Sequence, residues 1–165
     1  MTHPTWQLPL NEQGSGLVLT PCPGTKGVEL EASLQQLKAQ GVSVVVTALN
    51  DEELHEKSVN DLGKQVQALG MKWFQLVIED DRAPDANFAL EWNAASPSIH
   101  AALKQGEKVA MHCMGGSGRT GLLAAHALLE LNWPLDRIIS EVQALRPGAF
   151  TKPVQVDYIK QVAGQ

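Results

Sequence analysis

The segment His112-Cys113-Met114-Gly115-Gly116-Ser117-Gly118-Arg119-Thr120 sets a cysteine and an arginine at the two ends of a five-residue, glycine-rich loop. Placed after a strand and before a helix, such a loop turns successive backbone N–H groups inward. The helix adds its positive N-terminal end, and together they make a cradle sized for a phosphate. Arg119 brings a planar fork that can hold two phosphate oxygens. The same positive field favours Cys113 as a thiolate, and a thiolate beneath a held phosphate is a nucleophile aimed at phosphorus.

Other readings of the same residues fit less well. Gly116, Gly118 and Gly121 match the G-x-G-x-x-G spacing of dinucleotide sites. That fold needs a second strand after the helix, ending in an acid for the ribose. Asp136 has the right separation but lies in Pro134-Leu135-Asp136-Arg137, which reads as a helix start. A nucleotide P-loop fails because no Gly-Lys-Ser/Thr follows the glycines. A buried structural cysteine before a glycine turn explains neither Arg119 nor the spacing.

The elements that must position this loop follow from pattern. Leu17-Val18-Leu19 reads as a short strand, and Leu30, Leu34 and Leu37 recur at helical spacing with Gly41 at the C-terminus. Val42 to Ala48 is a β-branched run, hence a buried strand. Asn50 or Asp51 can cap a short acidic helix. Val59, Leu62, Val66 and Leu69 mark another, ended by Gly70. Met71 to Ile78 reads as a strand running into the acidic loop Glu79-Asp80-Asp81-Arg82-Ala83-Pro84-Asp85. Phe88, Trp92, Ala95, Ile99 and Leu103 define a helix that Pro97 is expected to kink or interrupt. Lys108 to His112 is the strand feeding the cysteine loop, Thr120 to Leu131 a buried helix, and Leu135–Leu145 and Val154–Val162 two closing helices. Strands alternating with helices predict an α/β domain over residues 1–165, with a largely parallel sheet of four or five strands flanked by helices. Ligands in such sheets sit at the C-terminal ends of the strands, where the cysteine loop falls.

Composition narrows the partners. A formal charge of −5 argues against nucleic acid or an anionic membrane as the main partner. Two cysteines, Cys22 and Cys113, make no disulfide framework. A nucleophilic Cys113 must stay reduced, which favours the cytoplasm. The N-terminus lacks a basic stretch followed by an apolar run, so no signal peptide is expected. His3, His55, His100 and His126 show no ligand spacing, so neither metal nor cofactor is expected. Trp6, Trp73, Trp92 and Trp133 read as packing residues, and Cys22 as a buried bystander.

His112-Cys113-x-x-Gly116-x-x-Arg119-Thr120 resembles the signature of the cysteine-dependent protein phosphatases. Its position two-thirds along the chain resembles the dual-specificity branch, especially the cyclin-dependent-kinase-associated phosphatase and its bacterial relatives. Pro21-Cys22-Pro23-Gly24-Thr25-Lys26, the acidic loop, and Leu145-Arg146-Pro147-Gly148-Ala149 with Gln155 and Tyr158 extend the likeness from about Leu17 to Tyr158. The resemblance implies a protein-tyrosine-phosphatase-like fold and hydrolysis of phosphotyrosine, phosphoserine or phosphothreonine through a phosphocysteine.

Expulsion of the leaving oxygen needs a proton, which a carboxylic acid on a neighbouring loop supplies. Asp85 follows Pro84 and precedes a helix, so it reads as an N-cap. The family pattern places the acid at Asp80, with Asp81 as the second candidate. The resemblance further implies substrate binding by residues 114–118 and Arg119, help from the Thr120 hydroxyl in thiolate departure, and a structural orienting role for His112. It also implies water positioning by Gln155. Met114, Gly115, Gly116, Ser117 and Gly118 include no lysine, which favours a phosphoprotein or a small singly phosphorylated metabolite or lipid over polyphosphorylated lipids. A phospho-binding module without turnover and a rhodanese-type sulfur transferase are the rivals from other classes. A monomer acting on a phosphorylated protein is the expectation.

Overall fold

The computed structural model describes residues 2–164. Its five strands, β1 (Trp6–Pro9), β2 (Gly16–Thr20), β3 (Val42–Thr47), β4 (Lys72–Gln75) and β5 (Lys108–His112), form one sheet in the order β1-β2-β5-β3-β4. Only β1 runs antiparallel to its neighbour; the pairs β2–β5, β5–β3 and β3–β4 are parallel. Helices α1 (Leu30–Ala39), α2 (Asp51–Glu56), α3 (Leu62–Ala68), α4 (Ala86–Lys104), α5 (Gly118–Glu130), α6 (Leu135–Leu145) and α7 (Pro153–Val162) complete the chain. The expected layered α/β architecture is therefore present. Val45, Val46, Val109, Ala110 and Met111 on the inner strands are fully buried, as a parallel sheet covered on both faces requires.

The structure differs from the sequence expectation in three places. β1 has no counterpart among the expected elements; it is a short edge strand ending at Pro9, a position where a missing N–H costs no ladder bond. Regular strand structure in β4 is shorter than Met71–Ile78, although Leu76 N–H and Ile78 N–H still bond the Thr47 and Ala48 carbonyls at 2.8 and 3.0 Å. Finally, α4 runs without interruption through Pro97. Asn93, whose carbonyl loses its partner to the proline, is exposed, so water can satisfy that oxygen and the helix need not break.

The sheet order decides where chemistry can occur. β5 lies centrally, with β2 on one side and β3 on the other. The loops after β2, β3, β4 and β5 all leave from the same edge, so residues from four parts of the chain meet there.

Candidate active site

β5 delivers Cys113 to the start of the loop, and α5 begins at Gly118. The Cys113 side chain is buried and accepts two hydrogen bonds, from Gly116 N–H at 3.3 Å and from the Thr120 hydroxyl at 3.1 Å. Both fix the sulfur's position beneath the loop. Gly116 adopts φ 82°, and a Cβ there would lie 2.7 Å from the Pro21 nitrogen. Only glycine serves at this position. Ser117 leaves the start of α5 without a side-chain cap, so the N–H groups there face the cradle unclaimed.

His112 is fully buried and orients the loop. Its Nδ1–H donates to the Cys113 carbonyl at 3.1 Å, while Nε2 lies 2.6 Å from the Thr47 hydroxyl. Trp73 Nε1–H donates to the same hydroxyl at 2.8 Å. Thr47 must then donate to His112 Nε2, which fixes the neutral tautomer. Burial holds the imidazole down at about 4.

Arg119 is also buried. Its Nη1 donates to Glu53 Oε1 at 3.0 Å and to the Ile78 carbonyl at 3.1 Å, and Nη2 lies 3.0 Å from Glu53 Oε2. Burial alone would lower the basicity of this guanidinium, but the Glu53 hydrogen bond together with the charges of Cys113, Glu53 and Asp80 outweighs it and pushes it upward. Glu53 serves α2 as well. With Asn50 it forms the capping box of that helix, accepting Asn50 N–H at 3.2 Å.

The acidic loop carries its side chains in different directions. Asp85 caps α4 by accepting Phe88 N–H at 2.9 Å. Asp80 reaches toward the cradle, with Oδ1 3.8 Å from Arg119 Nε. Asp81 has φ 61° and turns away to pair with Lys152 just before α7. A cation therefore stands near the rim, although residues 114–118 hold none; Asp81 neutralises it. Arg82 is exposed and lines a cavity of about 330 Å³ with Glu79, Asp85 and Glu91, beside the acid loop and away from Cys113.

Gln155, on α7, is buried, and a Cβ on Gly118 would lie 2.9 Å from its Nε2. Its Oε1 has no hydrogen-bond partner among the described residues. Tyr158, one turn on, meets His126 of α5 at 2.7 Å and fastens the two helices. Cys22 is fully buried; burial, then the neighbouring Cys113, pushes its thiol up to about 12. No group of three or more His, Cys, Asp or Glu among the described residues could hold a metal ion.

The sequence singles out Cys113, Arg119, Thr120, His112 and Asp80, and the fold brings them together with Gln155. It does not reveal Glu53, Thr47 or the positioning contact of Trp73. The Asn50-x-x-Glu53 spacing signals a helix cap, but nothing local ties Glu53 to an arginine 66 positions away.

A family model described as "Polymorphic toxin system, DSP-PTPase phosphatase" matches residues 24–131, which include Cys113 and Arg119. The chain belongs to the dual-specificity phosphatase family. This phosphatase is 30% identical to "Cyclin-dependent kinase inhibitor 3" of Rattus norvegicus over 163 residues, covering 93% of this chain and 76% of that protein. It is 31% identical to "Tyrosine-protein phosphatase CDC14" of Saccharomyces cerevisiae over 93 residues, which is 56% of this chain but only 16% of that much longer protein. Among solved structures, kinase associated phosphatase with its catalytic-site cysteine replaced by serine superposes with a TM-score of 0.86 at 24% identity, covering 99% of this chain and 96% of that one. Tk-PTP in its active form gives 0.69 at 23% identity, covering 92% of each chain. At these identities the structural matches speak for the fold alone. Neither a phosphatase of a small metabolite or lipid nor a phospho-binding module without turnover is favoured for this chain.

Proposed function

We propose that the protein hydrolyses phosphomonoesters on tyrosine, serine or threonine side chains of proteins through a phosphocysteine at Cys113. The observation that carries this reading is the double hydrogen bonding of the Cys113 sulfur beneath an uncapped helix start, beside a buried, pre-paired Arg119. The substrate phosphate binds to the amides of residues 114–118 and to the Nη2 and Nε edge of Arg119. The Cys113 thiolate forms the S–P bond as the bond from phosphorus to the leaving oxygen breaks, and Asp80 gives that oxygen its proton. Water then attacks phosphorus, its proton returns to Asp80, and the S–P bond breaks to restore the thiolate. Thr120 stabilises that thiolate, and the unpartnered Gln155 carbonyl accepts a hydrogen bond from the water.

A free thiolate needs a reducing setting, so the cytoplasm is part of this proposal. No described helix is long and apolar enough to cross a membrane. We take the protein to act as a monomer on phosphoproteins, without metal, cofactor, nucleic acid or membrane. The test is turnover of para-nitrophenyl phosphate. Cys113→Ser should abolish it while thermal unfolding stays cooperative; persistent turnover in that variant would defeat the mechanism.

A further inference from the structure

The phosphate loop is gripped from outside by a residue the mechanism has not used. Arg146, just after α6, donates from Nη2 to the Gly115 carbonyl at 2.8 Å and from Nε to the Gly116 carbonyl at 3.0 Å. One face of its guanidinium is covered by Trp6 of β1, with 3.8 Å between the central carbon and the ring centroid. Stacking fixes the plane of the fork, and the fork fixes two successive peptide units.

Those two peptides matter because a trans peptide points its C=O and N–H in opposite directions. The unit whose oxygen Arg146 holds outward at Gly115 is the one whose N–H, on Gly116, donates to Cys113 Sγ at 3.3 Å. The next unit, held at the Gly116 oxygen, aims Ser117 N–H toward the same interior. A cation on a carbonyl oxygen also polarises the amide behind it and strengthens its donation.

The N-terminal segment also braces a wall of the loop. The buried His3 places Nε2 2.7 Å from the Thr20 hydroxyl and 3.2 Å from the Pro21 carbonyl. Thr20 and Pro21 form the backbone wall against which Gly116 packs. His3, Trp6 and Arg146 all lie outside the matched residues 24–131.

We propose that Arg146, held in plane by Trp6, is a positioning residue that sets the Gly116 and Ser117 amides for the Cys113 sulfur and the bound phosphate. This role rests on the reading of Cys113 as nucleophile and adds a coupling between the edge strand and the phosphate loop. The Arg146 fork is occupied by the Gly115 and Gly116 carbonyls, so it acts through the loop.

The test compares Arg146→Ala, Arg146→Lys, Trp6→Leu and Trp6→Phe with the wild type by three measurements. These are alkylation of Cys113 by iodoacetamide at pH 6 and pH 9, inhibition by orthophosphate, and kcat and KM for para-nitrophenyl phosphate. Arg146→Ala should slow alkylation at pH 6 but not at pH 9, and weaken orthophosphate inhibition by about tenfold, the scale of a lost charge-assisted hydrogen bond. Trp6→Leu should move the same readouts in the same direction, with Trp6→Phe restoring them through its ring. Should Arg146→Ala fail to fold, Arg146→Lys, which keeps the charge and loses the fork, carries the same comparison. Folded variants with wild-type orthophosphate inhibition and wild-type alkylation at pH 6 would overturn the proposal, even if kcat fell. Cys113→Ser is run in parallel: turnover surviving there defeats the nucleophile reading, whereas its loss beside unaffected Arg146 and Trp6 variants defeats only the positioning role.

Discussion

Arg119 and Glu53 meet edge to edge, Nη1 on Oε1 and Nη2 on Oε2, each at 3.0 Å. A guanidinium has five N–H donors in a fixed plane. Glu53 and the Ile78 carbonyl occupy three of them, which leaves the adjoining Nη2 and Nε hydrogens as a second fork on the cradle side. The pair thus selects which edge of Arg119 faces phosphate.

Removing Glu53 should release that plane. Glu53→Ala is expected to lower kcat/KM for an aryl phosphate by roughly 10- to 100-fold, the scale of a misplaced binding group. Loss of the Glu53 half of the α2 capping box should add about 0.5–1.5 kcal/mol of destabilisation, read from urea unfolding, while Asn50 Oδ1 still accepts the residue-53 N–H. Glu53→Gln, which can still accept from Arg119 and Asn50, should recover part of both. Equal kinetics for the wild type and Glu53→Ala would refute the orienting role.

The two acid-loop carboxylates should separate by leaving group. Asp80 stands 3.8 Å from Arg119 Nε, whereas Asp81 pairs with Lys152. Asp80→Asn should cost about 100-fold or more on alkyl phosphates, which need a proton on departure, and far less on para-nitrophenyl phosphate. Asp81→Asn should change both substrates by about the same small factor. The reverse pattern would move the acid role to Asp81.

Thr47 links the half-buried Trp73 to the buried His112, and its loss strands a polar group on each. Thr47→Val is nearly isosteric but leaves Trp73 Nε1–H and His112 Nε2 without this partner. The expected cost is about 1–3 kcal/mol in chemical unfolding, with Thr47→Ser close to wild type. A Thr47→Val protein as stable as the wild type would mean that the relay contributes nothing.

Stability should decline on mild acidification. Burial holds His112 at about 4 and His126 at about 4, both below their unfolded values. Between an unfolded value of about 6.5 and the folded one, the unfolded chain binds more protons, so stability present above that window is lost as pH falls through it. For His112 the full effect is on the order of 3 kcal/mol. The urea midpoint should therefore drop between pH 7 and pH 4.5, and drop less in His126→Gln. A flat or rising midpoint would contradict the neutral, buried assignment.

How much of this is legible in the sequence depends on range. The cysteine loop, its arginine and the following hydroxyl sit within nine residues, so spacing alone reveals them, and the Asp85 cap is equally local. Glu53 reads as a helix cap, and its second partner comes from sheet order. Trp6 reads as packing, and its position over Arg146 requires β1, a short strand with only Trp6 and Leu8 to mark it. Pro97 misleads because the rule against proline in helices assumes a carbonyl that water cannot reach, and here it lies on the exposed face.

The position of β5 between β2 and β3 has a consequence in time. Gly16 pairs with Lys108, and Val44 with Val109, so the walls of the cradle come from strands made long before the one that carries the cysteine. Contacts of such long range form late, after loop closure has been overcome. A nascent or half-folded chain therefore has a thiol but no cradle, and dephosphorylation begins only when the whole sheet has closed around its last strand.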